Sequence, residues 1–380
     1  MSFSTDNIQK QARYRQLDSL RGLAAICVFF SHYFLIFKVD EAWATQLKAT
    51  PLGILINGSS AVLFFFVLSG FVLTLPFANN KKPLKLVEFY VKRVFRIYPA
   101  YIVAILFAII LKTFFYDRMG IGHFTPWISH FWNWPWGKES YTEIVKTFTL
   151  LAPKLNIDFI DPVIWSLVVE MKISILLPFF IILICRNNLL FNIGFFLITL
   201  ALVYGHSSIY LFVFYLGVLC ARYKDVLVAK VQTWSVTVVV VMLVFSLLLY
   251  NINFEFFKLP GDDAHPFGYF WRDFLSAIGS CAIIIIAVAR KRIATLFEMR
   301  FFIFTGDISY SFYLLHLPIL ITACSIFSSG TVASYVYIFL SVLATSFILS
   351  YLNFKFVEVV FQRYAKNLTA KWGVIKSGDL

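Results

Sequence analysis

The stretch Leu17-Asp-Ser-Leu-Arg21-Gly-Leu-Ala-Ala-Ile-Cys-Val-Phe-Phe-Ser-His32-Tyr33 decides how the whole chain is read. It opens with charge, turns apolar after Arg21, and carries His32 inside the apolar run. As a helix it sets Arg21 and His32 on one face, close to three turns and about 16 Å apart along the axis. It reads as a first membrane span with a basic group at its edge and a titratable group near mid-depth. An ionisable side chain in hydrocarbon is costly unless a partner or a wet cavity receives it, so His32 is a functional candidate.

Composition extends this reading to the rest of the chain. Of 380 residues 60% are hydrophobic and 14% charged, which excludes an ordinary soluble domain. The 44 Phe, 19 Tyr and 9 Trp suit lipid-facing helices and interfacial belts. Cys27, Cys185, Cys220, Cys281 and Cys324 fall in or beside apolar runs without ligand-like spacing, so neither a metal site nor a disulfide framework is expected. Windows of about 20 apolar residues give ten spans. They lie near 20–37, 54–77, 98–115, 162–185, 189–204, 207–222, 233–251, 270–289, 303–326 and 333–355. The expected fold is an all-α integral membrane protein of about ten transmembrane helices. Residues 1–16 form an N-terminal segment without signal-peptide features, 17–358 the membrane domain, and 359–380 a basic tail.

Of the 33 Lys and Arg, 23 fall on one set of connections and nine on the other, with Lys172 inside span four. The positive-inside rule therefore assigns both termini of a multi-pass protein of the inner (plasma) membrane to the cytoplasm. The net charge of +13 becomes a collar facing anionic lipid and metabolites, and nucleic acid is excluded as a partner. The longest outer connection, 116–161, holds Trp127, Trp132, Trp134 and Trp136 with His123 and His130. Its Trp-rich run is expected to lie flat at the lipid interface, the alternative being that its rings stack on a sugar. The residues 205–208 read as a tight turn, and Glu255, Asp262, Asp263 and His265 as solvated surface.

Four further segments break the apolar monotony. Arg93-Val-Phe-Arg96-Ile-Tyr-Pro99-Ala-Tyr101 sets two arginines one turn apart before span three, the arrangement of a phosphate clamp, with Pro99 suited to a first helical turn. Trp165-Ser-Leu-Val-Val-Glu170 brings a carboxylate to nearly the depth of His32. Glu170 is therefore expected to orient the imidazole as a general base. In Ser309-Tyr-Ser-Phe-Tyr313-Leu-Leu-His316-Leu-Pro318, Tyr313 and His316 are a turn apart and expected to line the same cavity and steady an oxyanion. Ser69-Gly70 in span two permits close helix approach.

Taken in order, these motifs resemble the acyltransferase-3 family of membrane acyltransferases from Leu17 to about Glu358. The resemblance implies a ten-helix bundle that uses cytoplasmic acyl-CoA, most often acetyl-CoA, to acylate a hydroxyl of a glycan or lipid-linked sugar at or beyond the outer face. It implies that His32 is catalytic and that Arg21 matters for activity. Donor binding is expected at Arg21, Arg93, Arg96 and Tyr101, and catalysis at His32, Glu170, Tyr313 and His316. Some relatives carry an added SGNH-type domain, which these residues lack. The rivals are a transporter or flippase for a lipid-linked glycan, since intramembrane His, Glu and Lys also serve proton coupling, and a non-catalytic subunit of a polysaccharide-synthesis complex.

Overall fold

The computed structural model describes residues 14–37, 50–78, 83–117, 120–133, 136–137, 140–152, 155–203, 209–253, 266–327, 329 and 331–378. Trp134, the turn 205–208, the loop residues Glu255, Asp262, Asp263 and His265, and the side chain of His123 lie outside them. Every predicted span is a helix: α1 (Arg15–Phe34), α2 (Gly58–Thr74), α3 (Leu86–Phe114), α4 (Ile164–Arg186), α5 (Leu189–Val203), α6 (Ile209–Arg222), α7 (Val236–Tyr250), α8 (Pro266–Ala289), α9 (Arg300–Ile326) and α10 (Val332–Asn353). Helices satisfy every backbone group internally, which is what hydrocarbon demands of a spanning segment. Among the described residues there is no strand, and five helices are long and apolar enough to cross a membrane by length and composition. The chain is an all-α membrane protein.

At the centre stands α9, in which every residue from Ser311 to Ser325 is buried. It is wrapped by α1, α3 and α10, while α5, α7 and the outer faces of α3 and α10 display exposed Leu, Val, Ile and Phe, as lipid-facing surfaces do. Glycines set two of the closest crossings. A Cβ on Gly22 of α1 would run into the backbone of Thr305 and Gly306 on α9, and one on Gly70 of α2 into the Phe214 carbonyl on α6. The Ser69-Gly70 step thus does what its sequence suggests.

Two differences from the sequence reading bear on function. The third helix begins at Leu86, so Arg93, Arg96 and Pro99 lie inside it instead of at its start. Membrane helices tolerate such a proline because neighbours re-satisfy the freed carbonyl. The segment read as a basic tail is helical. After a π-helical turn at Phe354–Glu358, the chain continues as α11 (Val359–Gly378), which packs along α3.

Candidate active site

Two of the cavities among the described residues hold the groups singled out by sequence. One, of about 400 Å³, lies at the basic end and is lined by Arg21, Arg93, Arg96, Glu170, Tyr310 and residues of α11. The other, of about 620 Å³, lies at the opposite end and is lined by His32, Trp127, His130, Asp158 and Trp165. Val62 and Tyr313 line both, and so form the wall between them.

Each of the three arginines that line the basic cavity has a carboxylate. Arg21 donates to Asp18 at 3.2 Å. Arg93 donates from Nη2 to Glu170 and from Nε to Ser174 Oγ at 2.9 Å. Arg96 donates to Glu358 Oε2 at 3.0 Å, and the other oxygen of Glu358 accepts from Ser311 at 2.5 Å. Glu358 is fully buried, so the π turn serves to deliver one carboxylate to Arg96. Sequence reasoning missed Glu358, Ser311 and two α11 residues, Gln362 and Lys366, that complete the lining. The one signal was a Glu at the end of an apolar run. Tyr101 corrects an expectation: it lines neither cavity, and its buried hydroxyl donates to the Thr147 carbonyl at 2.6 Å, tying α3 to the short helix Ser140–Thr149. Five residues beyond Arg96 is 500° of helical turn, which puts Tyr101 well off the face that holds the arginine.

At the other end, Thr125 pins the short helix Pro126–His130 to the end of α1. Its amide donates to the Ile36 carbonyl at 3.3 Å and its hydroxyl to the Leu35 carbonyl at 2.6 Å. Trp127 is thereby held against His32, ring centroids 5.4 Å apart. His32 Nδ1 lies 2.8 Å from His316 Nε2, and His316 Nδ1 lies 3.1 Å from the Phe312 carbonyl. These two contacts fix the proton positions. A carbonyl only accepts, so His316 carries its proton on Nδ1; its Nε2 then accepts, and His32 must donate from Nδ1. The lone pair of His32 is left on Nε2. His316 is wholly buried and lines neither cavity; it stands behind His32 and orients it.

The expected His32–Glu170 pair is not formed. His32 sits in the last turn of α1, only two residues from its end, whereas Glu170 is six residues into α4, a depth difference of about 6 Å. A guanidinium on α3 also satisfies a buried carboxylate better than a neutral imidazole does. His32 is correspondingly not at mid-depth but within reach of the segment 120–133. Tyr313 holds the partition: its hydroxyl shares a 2.7 Å bond with Ser166 and reaches the Val163 carbonyl at 3.3 Å.

The Trp-rich run is also placed differently from the expected interfacial one. Trp132 is buried and donates to the Ile160 carbonyl at 2.7 Å, while Trp136 lies over the Lys112 ammonium, 4.7 Å from its ring centre. His130 and Asp158 pair at 3.3 Å on the rim of the histidine cavity. Just before α4, Asp161 is fully buried, its Oδ1 accepting from the Val163 amide, and burial pushes its carboxyl well above the usual carboxylate range. Among the described residues no group of His, Cys, Asp and Glu has the arrangement of a metal site.

A family model described as an acyltransferase domain matches residues 14–352, nearly the whole chain. No curated protein and no solved structure matches it.

Proposed function

Because the chain belongs to the acyltransferase-3 family and is a membrane acyltransferase, we propose that it is an O-acyltransferase that accepts acyl-CoA, acetyl-CoA in the first instance, at the basic cavity. It delivers the acyl group to a hydroxyl of a surface polysaccharide or its lipid-linked precursor at the histidine cavity. The observation that carries this reading is the back-to-back pair of cavities, one rich in guanidinium and one holding a tautomerically fixed imidazole, divided only where Val62 and Tyr313 line both. In this reading the basic end and both termini face the cytoplasm of a cell whose inner membrane holds the protein. Reporter fusions after Asn80 and after Trp132 should then report opposite sides.

The chemistry follows from the groups present. Donor phosphates exchange the arginines' carboxylate partners for their own oxygens, using the forked geometry of guanidinium. The thioester arm extends past Tyr313, since the Arg21–His32 rise of about 16 Å suits an extended pantetheine chain. The acceptor hydroxyl is a weak nucleophile at neutral pH, so a base must take its proton as it attacks. His32 Nε2 takes that proton while the oxygen adds to the thioester carbonyl. As the tetrahedral intermediate collapses, the C–S bond breaks and the proton passes to the leaving sulfur, regenerating neutral His32. The hydroxyls of Ser166 and Tyr313, bonded to each other at the partition, can turn to steady the oxyanion. His316 stabilises the imidazolium by accepting from its Nδ1 throughout.

The test is release of free thiol from acetyl-CoA by purified protein, coupled to labelling of glycan in membranes of the producing cell. A transporter would give neither. A single turnover without acceptor separates general base from covalent carrier, because only the carrier yields an acyl-imidazole.

A further inference from the structure

Beside the basic cavity lies a second hollow of about 480 Å³, a size typical of small-molecule sites. The two join along Val72, Leu73, Arg93 and Arg96, which line both. Away from that seam the walls are Pro76, Phe77, Pro83 and Phe89, and the rim carries Lys85, Glu88 and Lys92. Both lysines are exposed, and Lys92 bonds to Glu88 one turn back. Acyl transfer as derived above leaves this hollow unused, since the thioester arm runs the other way, toward Tyr313.

An apolar slot with cations on its rim, opening through two guanidiniums into the reaction cavity, has the chemistry to hold a flat base that carries a phosphate. Resting on the reading of the donor as acyl-CoA, we infer that this hollow binds the 3′-phosphoadenosine end of that donor. The purine lies against Pro76, Phe77 and Phe89. The diphosphate crosses the seam at Arg93 and Arg96, whose forks suit bridging oxygens, and the terminal 3′-phosphate meets Lys85 and Lys92, whose ammonium groups act as mobile point charges. Lys92 leaves Glu88 to do so. An exposed pair of that kind contributes little, so the exchange is easy. Arg93 and Arg96 thereby hold the centre of the donor while its two ends occupy two different cavities.

The experiment measures binding of tritiated acetyl-CoA to the full-length protein in lipid nanodiscs, competed by unlabelled acetyl-CoA, 3′-dephospho-acetyl-CoA or adenosine 3′,5′-bisphosphate. Wild type should prefer acetyl-CoA over the dephospho form at least tenfold and should bind the bisphosphate. The double variant Lys85→Gln/Lys92→Gln should lose both properties while its affinity for dephospho-acetyl-CoA stays at the wild-type value. Phe77→Ala should weaken both nucleotide thioesters and leave acetyl-pantetheine unchanged. Equal effects of the lysine changes on the two thioesters, or no effect on either, would overturn the assignment and make these lysines contacts for lipid headgroups. If wild type binds acetyl-CoA but does not distinguish the dephospho form, the assignment fails and the donor reading survives. If wild type binds no acyl-CoA at all, the donor reading fails and takes the assignment with it.

Discussion

The two cavities handle ionisable groups in opposite ways. At the basic end every arginine singled out by sequence carries a carboxylate partner: Asp18, one turn back on α1, for Arg21, Glu170 on α4 for Arg93, and Glu358 in the π turn for Arg96. At the other end His32 and His316 bond to each other and to a backbone carbonyl, and the only carboxylate among the described lining residues, Asp158, stays on the rim with His130. The difference suits two tasks. Cations that must await an anionic ligand in a low-dielectric bundle need temporary counter-charges. An imidazole that must accept a proton has to start neutral, and a carboxylate beside it would favour the charged form. Glu170 serves better with Arg93 than it would have with His32.

The sharpest way to break the comparison is at His32. His32→Ala should lower acyl transfer by about 10²–10⁴-fold, the usual worth of a positioned general base. Donor affinity, which the proposed function assigns to the other cavity, should be retained in the same binding assay. Arg96→Lys keeps the charge and loses the fork, so donor affinity should fall by about tenfold, one bidentate contact's worth, with turnover of bound donor nearly unchanged. Glu170→Gln sharpens the same division. Its effect should appear in donor KM, and a loss confined to kcat at saturating donor would return Glu170 to the imidazole.

Glu358→Gln removes the buried counter-charge from Arg96 and should cost about 1.5–3 kcal/mol of stability, the range for a hydrogen bond to a charged group, read by thermal unfolding in detergent. Asp161 gives a pH test. Its folded-state pKa is raised above the ordinary 3.8, so its contribution to stability is complete below pH 3.8 and is lost as pH rises through the folded-state value. Asp161→Asn should therefore flatten the decline of stability with rising pH, and an unchanged profile would show that the carboxyl is not held protonated. Smallest of all, Tyr101→Phe should cost about 1 kcal/mol, one ordinary hydrogen bond, and leave donor affinity alone. A donor-binding loss there would restore Tyr101 to the clamp.

What could be read from sequence was what depends on local composition. Apolar runs located all ten helices because hydrocarbon selects for length and hydropathy, and the arginine spacing located a cationic face on α3. Depth was not legible. Placing span one at 20–37 when α1 ends at Phe34 moved His32 inward by nearly a turn, enough to pair it with Glu170 on paper. Pairings set by tertiary docking were equally hidden: Glu358 reaches Arg96 only because α11 folds back along α3, and His316 reaches His32 only because the Gly22 and Gly306 backbones let α1 and α9 approach closely. Trp132 looked interfacial because its composition says nothing of the Ile160 carbonyl that draws it inside.

The central claim is that donor and acceptor meet across one wall, each from its own end. It is tested most directly in sealed membrane vesicles of defined orientation from the producing cell, with radiolabelled acetyl-CoA supplied to one face at a time. Label should enter glycan only when acetyl-CoA is supplied at the face that carries Arg21, Arg93 and Arg96, and none should enter in His32→Ala vesicles. Equal labelling from either face, or labelling that survives His32→Ala, would contradict the account.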